Sequence, residues 1–488
     1  MGFRRLVSSA VQHPNRVILG LSRLLPDPAK PAFPLSLLLG SLRFQHSTYR
    51  FLMISTLKTQ DLIALGFMTF ALFLGAGNII FPPMVGHLSG NQLWYSAFGF
   101  LLTGVGLPLL TVVALARVGG GLNTLTAPIG KGAGILLGVL VYLTIGPLFA
   151  TPRTATVSFE VGFAGYVGDG GAARGIYTAV YFGAVMLLAL FPGRLIDTVG
   201  KVITPALIVA LVVLAGAAIF MPAGVIGAPT GLYVDAPVSQ GFVQGYHTMD
   251  ALGALVFGIV IINAIRSRGI SDARLLTRYA IIAGIIAALG LALVYLSLIV
   301  LGAGSGGLAP NATTGEPILT AFVHHIFGPW GSVLLAIVIT LACLTTAVGL
   351  VSACGDYFSS LLPVSYRSVV IAVGLFSMAV ANQGLEQLIA VSVPVLSAIY
   401  PVAIVLVALS LASKLWCRPS RVFIPTLSVA AIFGIMDGVT SAGFGHLVPT
   451  AIAEMPGANL GLGWLMPVLL ALVASAAYDR MSGRVVEA

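Results

Sequence analysis

Between Asp61 and Tyr478 the chain is a succession of apolar stretches joined by short polar segments, and each stretch has the ~20 residues that a helix needs to cross a bilayer. Twelve can be read, roughly over 61–82, 93–116, 133–151, 175–192, 202–222, 245–264, 279–302, 330–352, 366–382, 387–412, 422–444 and 460–478. Only 8% of the residues are charged and 58% are hydrophobic. A soluble domain carries about 25% charged residues, so the solvent for this chain is lipid. The expected fold is an all-α membrane protein with 12 transmembrane helices.

The joints test that count. With Lys58 placed inside, the inside loops collect fifteen basic residues, from Lys58 and Arg117 through the Arg266–Arg278 cluster to Arg480 and Arg484. The outside loops and their edges hold two, Arg153 and Arg174. Adding or removing one span would scramble this alternation, so the positive-inside rule predicts twelve spans with both termini cytoplasmic. The longest outside loops, about 223–244 and 303–329, are too short to fold alone.

The formal net charge of +9 does not point to nucleic acid. Residues 1–52 carry seven Arg and Lys against the single Asp27, which is +6, and leave the rest of the chain only +3. This Arg-, Ser- and Pro-containing stretch is either an organelle-type targeting segment or an upstream extension of the reading frame with Met53 as the natural start. It is expected to be disordered or not native and to lie outside the single transmembrane domain, 53–482. Mass spectrometry of the mature N-terminus separates the two readings. Cys343 and Cys354 fall within one apolar segment and Cys417 in a basic loop, so no disulfide framework is expected.

Two apolar segments contain residues that a plain membrane helix has no use for. The first is FALFLGAGNIIFPP, residues 70–83. If Gly75, Ala76 and Gly77 leave helical geometry, the carbonyls of Ala71, Leu72 and Phe73 lose their i+4 partners, and unwinding through Asn78 also frees that of Leu74. Unsatisfied backbone survives at membrane depth only against protein or a water-filled cavity. Freed carbonyls suit a small cation, and the N–H groups opening the next half-helix at Asn78 and Ile79 suit a carboxylate. Pro82 and Pro83 are expected to end or bend that half. The competing reading of Gly75–Gly77 is a small-residue face for close helix packing.

In the sixth segment, Gly241, Gly245, Tyr246, His247, Thr248, Met249 and Asp250 precede a clean apolar helix. Asp250 is either an ionisable functional group at membrane depth or the N-cap of the helix that follows. In the eighth, LACLTTAVGL places Thr345 and Thr346 side by side, either bonding their own helix or coordinating a cation. Arg153 and Glu160 lie nearly two turns apart and read as an ion pair lining the external vestibule or as a gate to it. His247, His324 and His325 lack metal-site spacing. Neither a selectivity-filter repeat nor a ring of like charges suggests a channel. Asp250, Asp356 and Glu160 form no catalytic arrangement, so an enzyme is not expected.

The motifs LGFMTFALFLGAGNIIFPP, GPLFATPRTATVSFEVG, GYHTMDALGALVFGIVIINAIRSRG and SVPVLSAIYP together resemble the bacterial branched-chain amino acid:cation symporter family, over about Ser55 to Arg484. The resemblance implies uptake of leucine, isoleucine and valine across the bacterial inner membrane, coupled to Na+ and with no cofactor. That family is similar to LeuT-type transporters, which implies a 5+5 inverted repeat, here about 58–222 and 235–412, with helices 1 and 6 broken and two further helices over about 422–478.

Carried onto this sequence, the resemblance puts Na+ at the carbonyls of Ala71, Leu74 and Ala342 and the hydroxyls of Thr345 and Thr346. A second ion is left open: Asn78 and Thr248 match roughly, and Asp250 has no clear equivalent. The substrate would lie on Gly75, Ala76, Gly77, Asn78, Thr248 and Asp250, its ammonium on freed carbonyls and its carboxylate on half-helix N–H groups. Phe73, Tyr246 and Met249 would take the branched side chain. The alternatives are a proton-coupled symporter of other neutral amino acids or a passive channel.

Overall fold

The computed structural model describes residues 57–168, 170–191 and 204–484; the N-terminal segment 1–52 lies outside them. Every regular element among the described residues is helical. Helices of nine or more residues are α1 (Thr59–Phe73), α2 (Gly77–Ser89), α3 (Leu93–Leu101), α4 (Leu107–Val118), α5 (Lys131–Leu143), α6 (Ala150–Gly162), α7 (Gly171–Ala189) and α8 (Thr204–Phe220). The second half contributes α9 (Pro237–Tyr246), α10 (Asp250–Arg266), α11 (Ala273–Gly304), α12 (Gly315–Leu361), α13 (Tyr366–Ala381), α14 (Leu385–Leu411), α15 (Pro419–Val439) and α16 (Leu465–Arg484).

Each of the twelve apolar segments contains helix. By length and hydropathy, 8 helices among the described residues can cross a membrane, or 9 when α9 and α10, bent by 42° at their junction, count as one. The remaining apolar helices, α1, α8 and α13, are shorter. Outward faces are oily: Val180 on α7 is 70% exposed and Leu470 on α16 is 68% exposed. Apolar patches of that kind belong in lipid rather than water.

Three expectations about boundaries are corrected. The third segment does not stop at residue 151. A π-helical turn over Thr144–Leu148, kinked at Gly146 beside Pro147, joins α5 to α6, and the helix continues to Gly162. Arg153 therefore sits inside a buried helix rather than at an outer loop edge. Second, residues 303–329 are not simply a loop, because α12 already begins at Gly315 and turns sharply at Gly328 (φ 65°). A straight helix of that length would measure about 70 Å, far more than the bilayer, and the turn divides it into two shorter pieces. Third, of the two outcomes expected at Pro82 and Pro83, an end or a bend, the end is excluded, because α2 runs on to Ser89. The two missing donors concern only the carbonyls of Asn78 and Ile79, in a stretch buried on all sides by neighbouring helices.

The helices sort into two packed groups. In the first, α11 lies along α1 and α2, α3 along α9, and α4 along α10 and α11. In the second, α6 lies along α12, and α7 along α12 and α13. The first group thus holds segments one, two, six and seven, and the second holds three, four, eight and nine. Glycines set the distances within the first group. A Cβ on Gly302 would stand 1.9 Å from the carbonyl oxygen of Pro83, and one on Gly86 would stand 1.9 Å from that of Ile299. The α3–α9 contact is built the same way, since a Cβ on Gly241 would stand 2.0 Å from the Ser96 carbonyl oxygen. Lipid offers no hydrophobic drive for helix association, so close backbone approach and the dispersion it permits take its place.

Candidate functional site

Helix α1 ends at Phe73, and α2 begins at Gly77, so the chain between them, Leu74–Ala76, leaves the helix. The interruption is shorter than expected, since Gly77 and Asn78 are already helical. Its logic is visible in the hydrogen bonds. The last α1-type bond runs from Leu74 N–H to the Phe70 carbonyl (2.9 Å). The next donor that could cap α1, Gly75 N–H, points to Asn78 Oδ1 (3.0 Å) and away from the carbonyl of Ala71. Ile79 N–H donates to the Ala76 carbonyl (3.2 Å), so it is not held free for a carboxylate as the sequence suggested.

The second interruption is His247–Met249, between α9 and α10. Gly241, Gly245 and Tyr246, expected to be part of it, are helical. Met249 occupies the N-cap position with φ 67°, in the left-handed region, and is the one non-glycine residue with positive φ among those described. Such a backbone state costs on the order of 1–3 kcal/mol and persists only where the surroundings enforce it. Asp250 is the first residue of α10 and caps nothing. The N-cap reading is thereby corrected.

The carboxylate of Asp250 reaches across to the first interruption. Asn78 Nδ2 donates to both its oxygens, at 2.9 and 2.8 Å. The hydroxyl of Tyr295, from the middle of α11, donates to Asp250 Oδ2 and stands in contact with Asn78 Nδ2. All three residues are buried. The two breaks also touch through backbone: a Cβ on Gly77 would lie 2.9 Å from the Thr248 carbonyl oxygen. Thr248 Oγ1 donates to the Gly245 carbonyl (2.9 Å), closing the end of α9.

On the α12 side, Thr346 Oγ1 donates to the Leu74 carbonyl at 3.1 Å, the carbonyl at the C-cap of α1. Thr345 Oγ1 donates to the Ala342 carbonyl of its own helix (2.8 Å). Of the five residues expected around a cation, Leu74 and Thr346 are therefore in direct contact, Thr345 and Ala342 are paired one turn away, and Ala71 is buried at the end of α1. No group of three or more His, Cys, Asp or Glu side chains gathers among the described residues. Any ion held here would be held by neutral oxygens.

Between the breaks lies a cavity of about 40 Å³, lined by Phe73, Gly75, Ala76, Gly77, Asn78, Thr248, Met249, Asp250 and Thr346 among others. Tyr246 is not in that lining; it stacks on Tyr400 with ring centres 4.6 Å apart. Apolar wall comes from Leu72, Ile145, Phe257 and Leu350, with Phe257 set edge-on to Phe73 at 6.3 Å. A space of this size accepts on the order of three waters. An amino acid with several times as many heavy atoms enters only when the surrounding helices part.

Arg153 lines the same cavity. Its expected partner, Glu160, pairs with Arg174 at 3.2 Å instead. Arg153 is 1% exposed and turns inward, giving Nη1 to the His247 carbonyl (2.8 Å) and Nη2 to Ser392 Oγ (2.6 Å). Its guanidinium also stands 5.2 Å from the centre of the Phe81 ring. Reading Arg153 and Glu160 as a vestibule pair fails because seven residues of helix set them about 10 Å apart along α6, and each has other partners. Sequence reasoning also missed Tyr295, which lies in a stretch where Ser297 is the one other polar side chain nearby.

Comparison with known proteins follows from this geometry. The family model described as "Branched-chain amino acid transport protein" matches residues 58–482. The "Branched-chain amino acid transport system 2 carrier protein" of Pseudomonas aeruginosa is 63% identical over 432 residues, covering 88% of this chain and 99% of the relative. The "Branched-chain amino acid permease BrnQ" of Escherichia coli is 55% identical over 428 residues, covering 88% and 98%. Among solved structures, MhsT in complex with L-phenylalanine superposes with a TM-score of 0.56 at 17% identity, covering 84% of this chain and 97% of that one. A Na+-coupled sialic acid symporter superposes with a TM-score of 0.54 at 14% identity, covering 86% and 90%. These likenesses place the fold among LeuT-type transporters, and the apolar helices with transporter relatives make this a multi-pass membrane protein rather than an enzyme.

Proposed function

The chain belongs to the branched-chain amino acid transport protein family, and we propose that it is a secondary symporter importing leucine, isoleucine and valine with Na+ by alternating access. The observation that carries this reading is the apposition of two interrupted helices, joined by Asn78 and Asp250, around a cavity at the seam of the two helix groups. A passive pore has no need of two breaks locked together; a carrier that must close on its cargo does.

In this reading the twelve segments are twelve spans, with both termini cytoplasmic, in the bacterial inner membrane. The inward placement of Arg153 leaves Arg174 as the basic residue of the outer edges named from sequence, which sharpens the charge asymmetry supporting that orientation. The amino acid head group lies at Gly75–Asn78 and Thr248–Asp250. Its branched side chain lies against Phe73, Met249 and the further apolar wall of the cavity. Na+ lies at the carbonyls of Ala71, Leu74 and Ala342 with the hydroxyls of Thr345 and Thr346. The Thr346–Leu74 contact supports that ion position, because it brings a hydroxyl from α12 to a carbonyl at the C-cap of α1. Replacing one hydrogen bond with a shared cation would tie the two groups together during loading.

Uptake of radiolabelled leucine into proteoliposomes tests this directly, with an inward gradient of Na+, of Li+, or of protons alone. Accumulation above the external concentration with Na+ only is the expected result. Equal uptake on a proton gradient would replace Na+ by H+, and equilibration without accumulation would indicate a passive path.

A further inference from the structure

The cavity holds two opposite charges that do not meet each other. Arg153 is buried and gives its Nη atoms to neutral acceptors, the His247 carbonyl and Ser392 Oγ, while its Nε finds no acceptor. Asp250 is buried too, and its donors, Asn78 and Tyr295, are neutral. The one ion pair among the described residues, Arg174–Glu160, involves neither. Both residues flank the same interruption: Arg153 holds the carbonyl of His247, and Asp250 follows three residues later. An unpaired charge at membrane depth is expensive and marks function by default.

We infer that Arg153 and Asp250 read the two ends of a zwitterion, Arg153 binding the carboxylate of the amino acid and Asp250 its ammonium. This rests on the transport reading above and deepens it. A guanidinium presents a fork of donors that matches a carboxylate, and the hydrogen bonds Arg153 makes now leave Nε without a partner. Of the two backbone donors offered for the carboxylate in the sequence, Asn78 and Ile79, the Ile79 N–H is already spent on the Ala76 carbonyl. A ligand carrying both charges neutralises both walls at once. One lacking either charge leaves a buried ion uncompensated, so the site rejects it by more than the missing contact alone.

The test uses the full-length protein in detergent and follows the rise in its unfolding temperature with increasing ligand, which yields apparent affinities even for weak binders. The probes are leucine, leucinamide, which lacks the carboxylate, and 4-methylpentanoate, which lacks the ammonium. For the wild type, leucine should bind at least about tenfold more tightly than either analogue, as loss of one charge-assisted hydrogen bond implies. Arg153→Gln should weaken leucine by about tenfold to a hundredfold and bring the leucine-to-leucinamide ratio near one, leaving discrimination against 4-methylpentanoate in place. Asp250→Asn should do the reverse. Arg153→Lys, which retains the charge without the fork, should keep much of the preference over leucinamide.

A cooperative melt certifies that each variant is folded. If Arg153→Gln melts cooperatively and keeps the wild-type ratio, Arg153 only pins the backbone at His247 and the inference is overturned. If Arg153→Gln does not fold, the wild type still decides: leucinamide binding as tightly as leucine overturns it as well. Failure of the wild type to respond to leucine, isoleucine or valine would instead bring down the transport reading itself.

Discussion

Replacing Asn78 by alanine is the sharpest single perturbation of this molecule, because one side chain serves both breaks. Its Oδ1 accepts the Gly75 N–H at 3.0 Å, and its Nδ2 donates to both oxygens of Asp250 at 2.9 and 2.8 Å. Asn78→Ala strands a buried backbone donor, at about 1–3 kcal/mol, and strips a buried carboxylate of a charge-assisted bond, at about 1.5–3 kcal/mol. Because the two share one side chain, their sum of roughly 2.5–6 kcal/mol is an upper range for the loss of the apposed conformation. At 1.4 kcal/mol per decade this is about a hundredfold to ten-thousandfold. Initial rates of leucine uptake in proteoliposomes, at matched protein content, should fall to background. The helices themselves should stay assembled, since α2 and α11 meet through Gly86 and Gly302 away from Asn78. Asn91→Ala, in the exposed turn after α2, should change the rate by less than about twofold, as surface substitutions do. An Asn78→Ala protein within threefold of the wild-type kcat/KM would refute the claim that the two breaks must stay joined for transport.

Gly77→Ala should abolish uptake, because its Cβ would meet the Thr248 carbonyl oxygen at 2.9 Å and backbone cannot step aside; Gly183→Ala on α7, with nothing within 4 Å, should be silent in the same assay. Tyr295→Phe keeps the ring edge-on to Phe100 but removes the donor to Asp250, so leucine uptake at low concentration should drop by about tenfold; unchanged uptake would make that hydroxyl dispensable. Replacing Thr345 and Thr346 together by alanine should raise the Na+ concentration for half-maximal leucine uptake by about tenfold or more, and an unaltered Na+ dependence would remove the cation from this position.

The elements most legible in the chain were those where local chemistry conflicts with a membrane helix. Gly75–Gly77, the Thr248–Asp250 run and the threonine pair each break a pattern that is otherwise uniformly apolar, and the structure brings members of all three to one cavity. The extent of each break was not legible. Asn78 Oδ1 lets α2 start as early as Gly77, and a methionine in left-handed geometry confines the second break to three residues. The other end of the Asn78 side chain is fixed by Asp250, 172 residues away, a contact that the local pattern does not reveal. Tyr295 was invisible for the same reason, lying in a plain apolar helix and acquiring meaning only from its packing against α2 and α10. Arg153 was misread because the third segment was ended at residue 151, whereas a π turn over Thr144–Leu148 leads into α6, which continues to Gly162.

The glycine contacts have a mechanical corollary. Where α2 meets α11 and α3 meets α9, backbone rests on backbone with no side chain between to act as a cushion. Such joints resist sliding, so in the proposed alternating-access cycle the first helix group is expected to move as one piece against the second. On that seam stands Gly75, whose missing Cβ would sit 3.1 Å from Thr346 Cγ2, next to the Thr346–Leu74 bond. The bond is small, well placed and easily exchanged for an ion. In the proposed cycle a Na+ taking the place of this bond would act as a latch between the two groups, and its arrival would set when they can move.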